Sequence, residues 1–220
     1  METKGGILTS LYHLLQAVPV REKFSIGDEA FIQQYGSFPI NRIKVCRTPL
    51  SNIVGKALNA ITIGAYERAM AKYGVDALFH LFMLIDIVDV SKGGKIITAI
   101  LEKNETPRCH LYDEPLSNNT QCVYVMGKYG GNLKSLIGAT QAEMGRAFWV
   151  YNAFTNNCQD FLLNVLGSNG LLTEQLQTFI KQDVSDIVRE MPSYTPSIAQ
   201  HITDTMRKVR TVFGLGLDLH

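Results

Sequence analysis

Apolar residues along the chain recur at helical spacing in some stretches and at strand spacing in others, and the alternation divides it into elements. Residues 7–18 carry Ile7, Leu8, Leu11, Leu14, Leu15 and Val18 at helical spacing, and Pro19 ends that run. A second short helix is predicted over 28–35, closed by Tyr35-Gly36. In 40–45, Ile40, Arg42 and Lys44 alternate with Asn41, Ile43 and Val45, which predicts a strand with one wet face. Ser51 is placed to cap a long helix with apolar positions from Ile53 and Val54 to Ala69 and Met70. Lys56, Glu67, Arg68 and Lys72 make burial between protein layers its expected setting rather than a bilayer.

The strongest strand signal is 75–90, where Leu78, Phe79, His80, Leu81, Phe82, Met83, Leu84 and Ile85 are apolar on both faces but for one histidine. That is the composition of a central strand. A turn over 91–95 leads into a second strand over 96–103, so the two form a hairpin. Residues 108–112 and 122–126 predict two more strands around the polar loop 113–121, and Gly127, Gly130 and Gly131 interrupt the pattern. Residues 133–149 are predicted mostly helical, and a helix follows from Cys158. Thr173 caps a helix running to about Arg189, and 197–213 is a last amphipathic helix with Ile198, Ile202, Met206 and Val209 on one side. The expected fold class is α+β: an antiparallel sheet packed on helices, with extra helices at both ends.

Composition narrows the function classes. The 220 residues have a hydrophobic fraction of 46% and a charged fraction of 19%, enough for a solid core. A formal net charge of +1 gives no basic surface on which to base nucleic-acid binding. The four cysteines, Cys46, Cys109, Cys122 and Cys158, include no C-x-x-C pair, and His13, His110, His201 and His220 lack ligand spacing to any of them, so no metal is expected. Residues 1–6 show no signal-peptide pattern and no run of 18 apolar residues occurs. The expectation is a soluble, cytoplasmic protein with free thiols, in which Cys109 and Cys122 flank one loop and lie close enough to pair on oxidation.

The stretch that points to chemistry is Asn156-Asn157-Cys158-Gln159-Asp160-Phe161. Asn157 is a good N-cap, Asp160 completes a capping-box-like start, and Cys158 falls in the first turn, where the positive helix end favours a thiolate. Backbone N–H groups at this start, around Asn157 and Gln159, are candidates to receive an oxyanion. The same sulfur shares an apolar face with Phe161, Leu162 and Val165, which also fits a small buried hydrophobe. A base is needed before it counts as a nucleophile. His80 is the candidate, in the most buried strand of the chain, where an imidazole is costly without partners. Glu102 and Asn104 project to one face of the next strand, and either could hold its second ring nitrogen. The run 102–105 reads equally well as a solvated strand end.

A histidine on a central strand, a polar residue on the next strand and a later Asn-Cys helix start together resemble the circularly permuted papain-like group. That group includes NlpC-type cysteine peptidases, lecithin retinol acyltransferase-like enzymes and PPPDE peptidases. More narrowly, Phe79-His80-Leu81, Leu101-Glu102-Lys103-Asn104 and the Cys158 motif are similar to uncharacterised members from large DNA viruses. The resemblance covers roughly 45–185 and divides the chain into an N-terminal extension (1–45), a core (46–190) and a C-terminal helix and tail (191–220). It implies a cysteine hydrolase or acyltransferase acting on an amide, isopeptide or ester, with Cys158 as nucleophile, His80 as base, Glu102 or Asn104 as the orienting residue and no cofactor. It also implies a host-cytoplasm or virion location. The rival reading is a non-enzymatic structural or virion protein that reuses the fold, with the C-terminal helix and apolar tail docking on a protein partner.

Overall fold

The computed structural model describes residues 22–49, 64–72, 78–104, 106–127, 129–151 and 156–181. Among these, helix α1 (Ile26–Tyr35) precedes strand β1 (Ile40–Pro49), and helix α2 (Ala65–Lys72) precedes the hairpin of β2 (Phe79–Asp89) and β3 (Lys95–Lys103). Strands β4 (Pro107–Leu111) and β5 (Gln121–Tyr124) follow, then helices α3 (Leu133–Met144), α4 (Cys158–Ser168) and α5 (Glu174–Ile180). The five strands form one sheet in the order β4-β3-β2-β1-β5. Every pairing is antiparallel, so the α+β expectation holds.

The central place of β2 follows from its composition. Leu81, Met83, Ile85 and Ile87 turn to the larger core, while Phe82 and Leu84 turn to a smaller cluster on the other face. A strand apolar on both sides is stable only when covered on both sides. The β2–β3 turn works by local chemistry: the Asp89 carboxylate accepts from Ser91 N–H at 3.0 Å, and Gly93 takes φ 68°. A left-handed residue there costs glycine nothing.

The helices close the larger face. Ser25 caps α1 by accepting from Asp28 N–H, and at the other end a Cβ on Gly36 would overlap the Ile32 carbonyl oxygen. The buried Asp28 carboxylate ties α1 to the sheet edge, taking Arg108 Nε at 2.8 Å and Cys109 N–H at 3.2 Å. Helix α4 buries Phe161, Leu162, Val165 and Leu166 against β2 and β3. Removing side chains of that size from water contributes about 2 kcal/mol each.

Several expectations are corrected. Strand β1 runs on to Pro49, because it pairs with β2 down to Pro49 opposite Phe79; it therefore crosses the 45/46 boundary drawn between extension and core. The helix capped by Thr173 ends at Ile180, where Lys181 turns extended with ψ 114°. The free-thiol expectation also fails. Cys46 and Cys122 are directly opposite on β1 and β5 and form a disulfide. Cys109 stays free on β4, at the far side of the sheet from β5, so it cannot be the partner of Cys122. The helices expected over 7–18 and 197–213, the start of the 51–72 helix and the tail 214–220 lie outside the described residues.

Candidate active site

The site lies where β2 begins, β3 ends and α4 starts. Asn157 and Asp160 build a reciprocal capping box that fixes the first turn of α4. Asn157 Oδ1 accepts from Gln159 N–H at 2.8 Å and Asp160 N–H at 3.3 Å, and Asn157 N–H donates back to Asp160 Oδ2 at 3.1 Å. This places Cys158 as the first helical residue, on the face it shares with Phe161 and Val165, and leaves it 7% exposed. Both candidate oxyanion residues thus serve the cap: the Gln159 N–H is already directed at Asn157.

His80, the second residue of β2, pairs with Glu102 and lies close enough to the Cys158 side chain for the sulfur to favour a charged ring. The Glu102 contact is an ion pair, Nε2 to Oε2, at 2.8 Å, with the two side chains 21% and 14% exposed. The geometry follows from register: β3 pairs Glu102 with Phe82, so Glu102 sits diagonally across from His80 on one face of the sheet. The imidazole also stacks on Phe82, ring centroids 6.1 Å apart.

Burial works against a charged ring here. The hydrogen bonds to Cys158 and Glu102, together with the charges on both, outweigh it and raise the His80 pKa to about 10. Burial likewise opposes the Glu102 carboxylate, yet the His80 hydrogen bond and the nearby positive charges hold its pKa below the ordinary value.

The sequence left Glu102 and Asn104 as alternatives; the structure separates them. Glu102 meets the imidazole, while Asn104 donates from Nδ2 to Glu102 Oε1 at 3.0 Å and so supports the carboxylate. Two residues with no assigned role also belong to the site. Lys103 has no exposed surface, so the solvated-strand-end reading fails at that residue, while Asn104 beside it is exposed; the Lys103 Nζ donates to Ala147 O at 2.7 Å and Asn156 Oδ1 at 3.1 Å. The period of two that places Ala99 and Leu101 in the core also places Lys103 there, so the signal was present in the alternation. Among the described residues no cluster of three or more His, Cys, Asp or Glu side chains is placed to hold a metal ion, and no helix is long and apolar enough to cross a membrane.

Comparison with known proteins found no matching family model, curated protein or solved structure.

Proposed function

We propose that the protein is a cysteine-dependent hydrolase or acyltransferase of the circularly permuted papain-like kind, acting on an amide, isopeptide or ester carbonyl. The observation that carries this reading is the position of one imidazole, paired with the Glu102 carboxylate at 2.8 Å and near enough to Cys158 for the sulfur to act on its charge. A nucleophile, a base and a residue orienting the base form the arrangement by which such chemistry is recognised across unrelated folds. The chain order supports it too, since the histidine strand precedes the cysteine helix.

In the proposed reaction the Cys158 thiolate attacks the carbonyl carbon, and the carbonyl π electrons move to oxygen. The positive end of α4 favours that developing charge. The His80 imidazolium passes a proton to the leaving nitrogen or oxygen as its bond to carbon breaks, which leaves a thioester on Cys158. Neutral His80 then takes a proton from water, or from an acceptor alcohol or amine, as it attacks the thioester. Collapse expels the thiolate beside a restored imidazolium. Glu102 stays ionised throughout and fixes which ring nitrogen faces sulfur.

The test is an acyl-fluorophosphonate-free one: a vinyl-sulfone or acyloxymethyl-ketone thiol probe, followed by a panel of peptide, isopeptide and ester substrates. Labelling confined to Cys158, lost in His80→Ala, and thioester-dependent turnover lost in Cys158→Ser are expected. Labelling of Cys158 at the rate of a denatured thiol, unaltered by His80→Ala, would instead favour the structural reading of the fold.

A further inference from the structure

Lys103 is among the largest side chains of the described fold with no exposed surface, and its ammonium sits inside the protein rather than at its edge. Its partners come from two segments that are separate in sequence. One is the Ala147 carbonyl in the 3-10 turn Gly145–Phe148, and the other is the side chain of Asn156, two residues before Cys158. Asn156 is fully engaged in turn, its Nδ2 donating to Ala147 O at 2.7 Å and to Val150 O at 2.6 Å. The Lys103 Nζ also lies 5.7 Å from the centre of the Phe161 ring, on the first turns of α4. Lysine, asparagine and two carbonyls therefore hold the approach to the cysteine helix against the end of β3.

The neighbouring residue on that strand is Glu102. Successive strand residues point to opposite faces, so one dipeptide of β3 reaches both halves of the site: Glu102 holds the imidazole, and Lys103 holds the segment that delivers the sulfur. Stability alone does not call for a lysine here. Replacing a buried charge with an apolar side chain of like size is often neutral or stabilising. We propose that Lys103 is a positioning residue of the candidate site, which sets Cys158 against His80 by clamping Asn156 to the strand that carries Glu102. This rests on the thiol-hydrolase reading above.

The charged group that acts on the Lys103 ammonium is Asp160 on α4. Burial lowers the Lys103 pKa to about 8, with Asp160 the charge that opposes the shift. The lysine is thus still largely protonated at neutral pH.

The experiment uses the full chain and four proteins: wild type, Lys103→Met, Asn156→Ala and His80→Ala. Two readouts are taken on each: the iodoacetamide alkylation rate of Cys158 from pH 6 to 9, and amide hydrogen exchange over 156–161. Lys103→Met should keep its melting temperature within a few degrees. Its Cys158 alkylation should slow about tenfold at pH 7, corresponding to one unit on the pH axis. The pH profile should move to higher pH, and exchange at the α4 start should accelerate. A merely structural lysine would alter melting and leave that profile in place. Wild-type alkylation and exchange in Lys103→Met, with His80→Ala still slow, would overturn the positioning role while the Cys158–His80 pair stands. Should His80→Ala alkylate like wild type, the hydrolase reading falls. Exchange alone then decides the clamp: faster exchange in Lys103→Met supports it, unchanged exchange overturns it. If Lys103→Met does not fold, Asn156→Ala breaks the same clamp from the other side, and its two readouts decide in the same way.

Discussion

His80 Nε2 lies 2.8 Å from Glu102 Oε2, on an imidazole whose charge Cys158 also favours. A histidine so held cannot rotate to present the wrong nitrogen, and the carboxylate balances the ring's positive charge. Glu102→Gln keeps the shape and one hydrogen-bonding oxygen but removes the charge. The His80 pKa should then fall from about 10 toward the ordinary histidine value, and Cys158 alkylation at pH 7 should slow about tenfold. Asn104→Ala should have the smaller effect, because Asn104 reaches only the carboxylate. Imidazole proton shifts followed by NMR titration, with alkylation rates on the same samples, check both. Equal effects of the two substitutions would show that Glu102 is not the orienting group.

The thiols make a second prediction. Cys46 and Cys122 are bonded, while Cys109 and Cys158 are free. Burial, with the Asp28 charge nearby, pushes the Cys109 thiol far above its usual range. Denatured, unreduced protein should therefore show two reactive thiols, and four after reduction. Folded protein should show one, at Cys158. The disulfide joins residues 76 apart in sequence, so its reduction should cost up to about 4.5 kcal/mol in the chain-entropy account. Four thiols in unreduced, denatured protein would place Cys46 and Cys122 apart in solution.

What could be read from the sequence was what short-range physics controls. The run around His80 announced a strand buried on both faces, and Asn157 with Asp160 announced the helix that presents Cys158, because each signal is contained in a few residues. The Cys46–Cys122 bond was not legible. It depends on β5 crossing to pair with β1, and no local pattern states which strand a four-residue strand will join. Lys103 was missed for a different reason. Its alternation with Ala99 and Leu101 was visible, but a lysine beside Glu102 and Asn104 reads as solvated until its partners, Ala147 and Asn156, are seen to converge from elsewhere.

The start of α4 yields a pair of stability predictions that separate cap from core. Asn157→Ala removes the acceptor for two backbone N–H groups and should cost about 1 kcal/mol. Phe161→Ala empties a fully buried position against Phe148, whose ring centre is 5.5 Å away, and should cost about 3–5 kcal/mol. Urea melts at fixed pH measure both. If Asn157→Ala proved the costlier of the two, the cap would be carrying more than two hydrogen bonds.

The last prediction is the pH dependence of stability, in which His80 and Glu102 contribute with opposite signs. The His80 pKa is raised from 6.5 to about 10 on folding. Its contribution is therefore whole below about pH 6.5 and is lost progressively as pH rises through 10. Glu102 is lowered from 4.5, so its contribution is whole above about pH 4.5 and fades as pH falls through the folded value. Both are fully present only between roughly pH 4.5 and 6.5. The comparison chain is His80→Gln/Glu102→Gln, which carries neither titration but keeps every other shifted group, including Lys103 and Cys109, so their pH effects cancel in the difference. The melting-temperature advantage of wild type over this chain should be greatest near pH 5.5, shrink steadily toward pH 10, and shrink again below pH 4.5. A difference that stays level from pH 5 to 10 would mean that His80 is not held protonated by its two partners. The site would then lack the imidazolium that the proposed first step requires.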